Sequence, residues 1–134
     1  MTEIACAVFV KDGLVLLVKR APHKVWYPNR WDLVGGHVEH GETIEAALVR
    51  EAQEEVGLTP LRFHWLAELS EPQASDDLNV RYHVYAVTEW DGGEPTLLGD
   101  EHTAMRWVAA SEASTLEDIA HRQYSRVFSE LAST

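Results

Sequence analysis

The sequence of 134 residues contains one cysteine, Cys6, which excludes an intramolecular disulfide and any CxxC metal or redox motif. The thiol lies in the apolar run Ile4 to Val10, where a small buried hydrophobe is expected. No apolar stretch approaches the roughly 20 residues that a bilayer-spanning helix needs. The beginning of the chain carries an acid, Glu3, and neither a basic segment nor a cleavage site, so the expected location is cytoplasmic. Positive charge is scarce as well: 11 Lys and Arg stand against 22 Asp and Glu, a formal net charge of -11. The far field of such a chain repels a nucleic-acid backbone and an anionic membrane surface, which argues against both as partners. A small anionic substrate would require a cation recruited locally.

What is present describes an ordinary folded domain. With 46% hydrophobic and 25% charged residues, the chain can bury a core without disulfides or a structural metal. No repeat or linker divides it, so residues 1–134 are read as one domain. Two β-branched runs, Ile4 to Val10 and Leu14 to Val18, flank Lys11-Asp12-Gly13, a hairpin signal. Residues 21–30, with Pro22, Pro28 and Asn29, read as a loop, and Trp31 to Val34 as a short strand entering Gly35-Gly36. Residues 43–56 favour a helix opened by Thr43 or Glu42 and closed by Gly57. Strands are expected at Arg62 to Leu69, Val80 to Glu89 and Arg106 to Val108, with a turn at Asp91-Gly92-Gly93. Beyond Ser111 the pattern becomes helical, with Ile119, Val127, Phe128 and Leu131 as core contacts. This order predicts an α/β fold, a mixed sheet with helices packed on it.

The central helix has its acids on an unexpected side. Residues 36–58 hold six glutamates (39, 42, 45, 51, 54 and 55) and one base, Arg50. At about 100° per residue from Ile44, Leu48, Ala52 and Ala47 fall at roughly +40°, +80° and -60°. Glu51, Glu55 and Glu54 fall at roughly -20°, +20° and -80°. Three acids therefore continue the apolar stripe, while Gln53, Ala46 and Arg50 take the far side. Carboxylates facing a core repel one another and lose hydration unless a cation compensates them. Their spacing brings them together on adjacent turns, and hard oxygen donors at this density suit Mg2+ or Mn2+.

These residues also carry a family resemblance. Gly36, Glu42, Arg50-Glu51, Ala52, Glu54-Glu55, Gly57 and Leu58 match the Nudix box, G-x5-E-x7-R-E-U-x-E-E-x-G-U, over residues 36–58. Only Ala52 is small where the pattern asks for a bulky aliphatic residue. Leu16-Leu17-Val18-Lys19-Arg20, Trp90-Asp91-Gly92-Gly93-Glu94-Pro95, Glu101-His102 and Arg106-Trp107-Val108 extend the likeness, and the whole resembles a MutT-type Nudix hydrolase. The resemblance implies the Nudix fold, a mixed β-sheet sandwiched between helices (α/β/α). It also implies a metal-dependent hydrolase of nucleoside diphosphate-linked substrates.

By that resemblance Glu51, Glu54 and Glu55, with the main-chain carbonyl of Gly35, would hold Mg2+, Mn2+ being the alternative. Glu54 or Glu51 would help to deprotonate the attacking water. Glu101 corresponds to an auxiliary acid, whose role as ligand, base or plain surface acid stays open. Arg50 would orient Glu51, and Glu42 would fix loop and helix. Gly36 and Gly57 would serve as structural parts of the motif. Arg20 resembles a phosphate-contacting arginine. His102 is read as structural or exposed. Lys19, Lys24 and Arg30 give the loop region a local positive balance that could funnel an anion, and Tyr27, Trp31, Tyr82 and Trp90 are aromatics able to stack on a base.

The leading expectation is cleavage of a nucleoside triphosphate, ribo- or deoxyribo-, to the monophosphate and pyrophosphate. Pro72, fifteen residues after Gly57, approaches a spacing found in ADP-ribose pyrophosphatases, so a nucleotide-sugar or dinucleotide substrate is the alternative. A non-catalytic nucleotide-sensing domain is a third reading, opposed by the retention of all three box acids. Membership in this family is compatible with a homodimer.

Overall fold

A computed structural model describes residues 2–71 and 79–133; Pro72 lies outside them. Among the described residues, seven strands and three helices follow one another as β1 (Thr2–Lys11), β2 (Leu14–Arg20), β3 (Trp31–Asp32), β4 (Val34–His37), α1 (Ile44–Val56), β5 (Thr59–Ser70), β6 (Val80–Asp91), β7 (His102–Ala109), α2 (Ala110–Ala113) and α3 (Tyr124–Ala132). The expected hairpin joins β1 to β2, and Asp12 and Gly13 both adopt positive φ, 53° and 78°, as a tight two-residue turn requires.

Two sheets meet at that hairpin. In the first, β1 pairs antiparallel with β4 and parallel with β6, which pairs antiparallel with β5. In the second, β2 lies between β3 and β7, antiparallel to both. Alternation along β1 sends Ala5, Ala7 and Phe9 into a core with Ala47, Leu48, Ala52 and Val56 of α1, and Cys6 and Val8 into a second core with Ala113, Tyr124, Val127 and Phe128. Both faces of the strand are thus covered, and the mixed sheet sits between helices as expected. No helix among the described residues is long and apolar enough to cross a membrane.

The helix boundaries follow their caps. The Thr43 hydroxyl accepts from the Ala46 N–H at 3.1 Å, and Gly57 closes α1 in the left-handed region at φ 70°. Two expectations need correction. The strand read over Trp31 to Val34 is divided: Asp32 pairs with Val18 in one sheet and Val34 with Ala7 in the other. Between them the Asp32 carboxylate accepts the Leu33 N–H at 2.7 Å and turns the chain. The helical pattern after Ser111 is also interrupted. The four-residue α2 ends where the Ser114 and Thr115 hydroxyls bond back to carbonyls three residues earlier. Ile119 lies in a bridge to Trp31 and not in a helix, although it is buried as expected.

Candidate active site

The site begins where β4 delivers two glycines beneath α1. A Cβ on Gly35 would stand 2.0 Å from the Ala5 carbonyl oxygen, and one on Gly36 would stand 2.4 Å from Cδ of Glu51. The backbone at Gly36 is thus the floor on which the Glu51 carboxylate rests, and any side chain there would displace that carboxylate.

Arg50 gathers the neighbouring acids. Its Nε and Nη2 donate to the two carboxylate oxygens of Glu42 at 2.8 and 3.0 Å, Nη1 donates to Glu51 at 2.9 Å and to Glu54 at 3.3 Å, and Nη2 reaches the His37 carbonyl at 3.0 Å. The guanidinium, with help from the Glu39 N–H, holds the Glu42 carboxyl down at about 2. Glu42 in turn is the main reason that Arg50 is even harder to deprotonate than a free arginine. The helical projection put Arg50 on the far side of α1 with Gln53 and Ala46. The long side chain instead bends back toward the acids, so the fork bridges the box loop and the helix.

The acids themselves divide by exposure. Glu55 is buried at 3%, the Glu51 side chain is 13% exposed, and that of Glu54 is 58% exposed. The projected stripe therefore holds for Glu51 and Glu55 but not for Glu54, whose angle lies beyond the strip that the sheet covers. Burial, followed by the adjacent Glu51 carboxylate, pushes the Glu55 carboxyl well above the ordinary range. Its Oε1 accepts from the Gly35 N–H at 3.4 Å, while its Oε2 is buried without a partner. Beside it lies His102, whose side chain is only 6% exposed, with Nδ1 3.6 Å from Oε1 of Glu55 and also unpartnered. Of the two readings of His102, structural or exposed, the second is thus excluded: the start of β7 turns it inward. Burial lowers its pKa, so the imidazole stays neutral. Ligand atoms of Glu55, Glu101 and His102 all lie within 4.8 Å of one another. A buried carboxylate with an orphaned oxygen, surrounded by further carboxylates, is the electrostatic complement of a divalent cation, and the donor chemistry fits one.

A cleft of about 340 Å³, a volume suited to a small molecule, opens beside these groups, and of Glu51, Glu54 and Glu55 only Glu51 lines it. Gly35, Gly36, Glu51, Glu101 and His102 line one part of it, and Arg20, Lys24, Trp26, Tyr27, Asp32, Glu71 and Tyr82 line the rest. Arg20 reaches the cleft with its charge already engaged, donating to Asp32 at 3.0 Å and to the Trp26 carbonyl at 2.8 Å. Lys24 pairs with Glu101 at 3.3 Å. Of the other bases suggested as a funnel, Lys19 lies over the Trp31 ring and Arg30 reaches the Glu117 carbonyl, and neither lines the cleft. Tyr27 and Tyr82 do line it, both donating their hydroxyls to the Glu71 carboxylate. Burial and that carboxylate push both phenols up, so they remain donors at neutral pH. Trp31 and Trp90 belong to the cores, Trp90 packing edge-on against Phe9 and stacking on Trp107. Cys6, buried as expected, bonds to the Tyr124 hydroxyl through Sγ at 3.6 Å, and burial pushes its thiol up, which leaves it unreactive.

Asp32, Trp26, Glu71 and His102 join the cleft without having been singled out as site residues. Asp32 could have been inferred only from the pairing of β2 with β3, which sets it beside Arg20 across two strands. For His102 the signal was its position next to Glu101 at the start of a strand.

Comparison with known proteins agrees with this geometry. The NUDIX domain family model matches residues 1–130. A protein of Escherichia coli named CTP pyrophosphohydrolase is 32% identical over 113 residues, covering 84% of this chain and 79% of that protein. A Salmonella schwarzengrund protein named nucleoside triphosphatase NudI is 31% identical over 120 residues, covering 81% of this chain and 82% of that one. Among solved structures, a MutT NUDIX hydrolase from Burkholderia pseudomallei superposes with a TM-score of 0.82 at 28% identity, over 97% of this chain and 96% of the other. The box, the fold that presents it and these relatives together make the chain a member of the Nudix hydrolase family.

Proposed function

We propose that residues 1–134 form one hydrolase domain that cleaves a nucleoside triphosphate to the nucleoside monophosphate and pyrophosphate. The observation that carries the reading is the acid set of α1, with Glu51 and Glu54 gripped by Arg50 and Glu51 resting on the Gly36 backbone at the edge of a cleft of nucleotide-compatible size. The names of the relatives, a CTP pyrophosphohydrolase and a nucleoside triphosphatase, favour a triphosphate over a nucleotide sugar.

Glu51, Glu54 and Glu55, with the Gly35 carbonyl, would hold Mg2+. Bound there, the ion would neutralise polyphosphate charge and acidify water. Arg50 fixes the orientation of Glu51 and thereby of the acid set. Glu54, the most exposed of the three box acids, takes the proton from the attacking water and returns it to solvent. Glu101 supports that step from the opposite loop. Arg20 lies where it can meet phosphate oxygens, exchanging its bond to Asp32 for one to the substrate. Water adds to one phosphorus of the bridge between monophosphate and pyrophosphate as the bond from that phosphorus to the bridging oxygen breaks, the bridging oxygen leaves with the other product, and release of the Glu54-held proton to solvent completes the balance.

The test is a phosphate-release screen with Mg2+ across nucleoside triphosphates, ADP-ribose, dinucleoside polyphosphates and capped nucleotides, coupled to a pyrophosphatase. A triphosphate is the expected best substrate, and Glu54→Gln is expected to lower turnover by about 10² or more with an unchanged melting temperature. Preferred turnover of ADP-ribose would replace the reading with the nucleotide-sugar alternative. Tight binding without turnover of any compound would replace it with a sensing domain.

A further inference from the structure

The acids of α1 are not equally available to a cation. Oε1 of Glu51 and Oε2 of Glu54 are both engaged by Nη1 of Arg50. Glu55 is different: Arg50 is not among its partners, one of its oxygens is buried without a hydrogen-bond partner, and a ring nitrogen lies beside it in addition to the Glu51 carboxylate. That nitrogen, Nδ1 of His102, is itself buried and unpartnered. At 3.6 Å from Oε1 of Glu55 it is too distant for a hydrogen bond. The spacing suits two ligands of one ion. Two donors about 2.1 Å from one cation stand at most about 4.2 Å apart, and 3.6 Å lies inside that limit. Glu101 completes the group, its carboxylate within 4.8 Å of the other two ligand atoms and held on its outer side by the Lys24 ammonium.

We infer that His102 is a nitrogen ligand of the cation centre, acting with Glu55 and Glu101, and that the chain therefore favours Mn2+ over Mg2+. The inference rests on the reading that the box acids bind a divalent cation. Mg2+ gives up water reluctantly and takes oxygen donors, whereas Mn2+ and the later first-row ions accept imidazole readily. Two carboxylates and one neutral imidazole supply three positions and two negative charges. The remaining positions are left for the other donors of the box, water and phosphate oxygen.

Pulsed electron paramagnetic resonance of the Mn2+-loaded full chain tests this without measuring turnover. The expected spectrum shows nitrogen coupling that changes when the histidines are labelled with 15N, and that is lost in His102→Phe but kept in His37→Asn. Free-Mn2+ titration should show affinity falling at least about tenfold in His102→Phe, since even outer-shell partners of a ligand are worth 10–100-fold. Mg2+ affinity, read by competition, should fall by less. Mn2+ bound to the wild-type chain without nitrogen coupling, or coupling that survives His102→Phe, would overturn the histidine ligand and leave the carboxylate centre standing. Failure of the wild-type chain to bind Mn2+ at all would overturn both. If His102→Phe does not fold, His102→Gln, which offers no ring nitrogen, takes its place, and nitrogen coupling that survives it overturns the histidine ligand.

Discussion

Two adjacent glycines should respond to the same added methyl group in opposite ways. In Gly35→Ala the new Cβ meets a backbone atom, the Ala5 carbonyl oxygen, at 2.0 Å. Relief requires β4 to move away from β1, to which residues 34–37 are paired. Overpacking against backbone of this kind should cost at least about 3 kcal/mol, which lowers the melting temperature of a chain this size by roughly 10 °C. In Gly36→Ala the Cβ instead meets the end of the Glu51 side chain at 2.4 to 2.6 Å. A carboxylate can retreat, and about 1 Å of movement restores ordinary contact. The stability change should stay below about 1 kcal/mol, but Glu51 leaves the position in which Arg50 holds it at 2.9 Å. Misplacement on that scale should cost about 10²-fold in kcat/KM. Differential scanning fluorimetry and steady-state kinetics on the two variants give both readouts. Wild-type activity in Gly36→Ala, or a wild-type melting temperature in Gly35→Ala, would refute the reasoning, because each glycine would then be replaceable at the contact that explains it.

Three further outcomes follow from the electrostatics. Glu55→Gln should raise the melting temperature of the chelator-treated protein at pH 8, because the folded Glu55 carboxyl sits above its unfolded value and stability falls as pH rises past about 4.5. On the proposed cation centre, the wild type is expected to gain thermal stability from divalent cations and the same variant to lose that gain and its activity; an unchanged or lower melting temperature without metal would contradict the burial argument. Glu42 has the opposite sign. Its folded value is held near about 2, so its contribution is complete above about 4.5 and is lost as pH falls toward 2. Melts of wild type and Glu42→Gln between pH 5 and 2 should therefore converge, and parallel curves would remove Glu42 from the account. Arg50→Lys keeps the charge but not the fork that grips Glu42 through two nitrogens. It should cost about 1–2 kcal/mol, allowing for solvent screening, and at least tenfold in turnover, measured by melts and kinetics.

Local signals in the sequence carried much of the architecture. The Asp12-Gly13 turn, the Thr43 cap and Gly57 each act through their own backbone, so each is legible without knowing the fold. The box acids were legible for a related reason, since helical spacing alone puts Glu51 and Glu55 on the packed side. Glu54 was misplaced because a projection gives an angle and not the width of the sheet that covers it. What the sequence could not disclose were pairings between distant segments. Arg20 with Asp32, Glu71 with Tyr27 and Tyr82, and His102 with Glu55 depend on which strands become neighbours. The split of Trp31 to Val34 between two sheets belongs to the same class, for a run of four residues cannot announce two partners.

That split makes residues 32–36 a seam. Asp32, on one side of Leu33, is stitched into the sheet that carries Arg20 and the strand beginning at His102, while Gly35 and Gly36 are stitched into the sheet that carries α1 and its acids. A chain that has built one sheet and not the other therefore holds half of a cleft, with Arg20 and His102 separated from Glu51 and Glu55. On the proposed reading, nucleotide binding therefore requires both sheets, and ligand is expected to protect both from hydrogen exchange together.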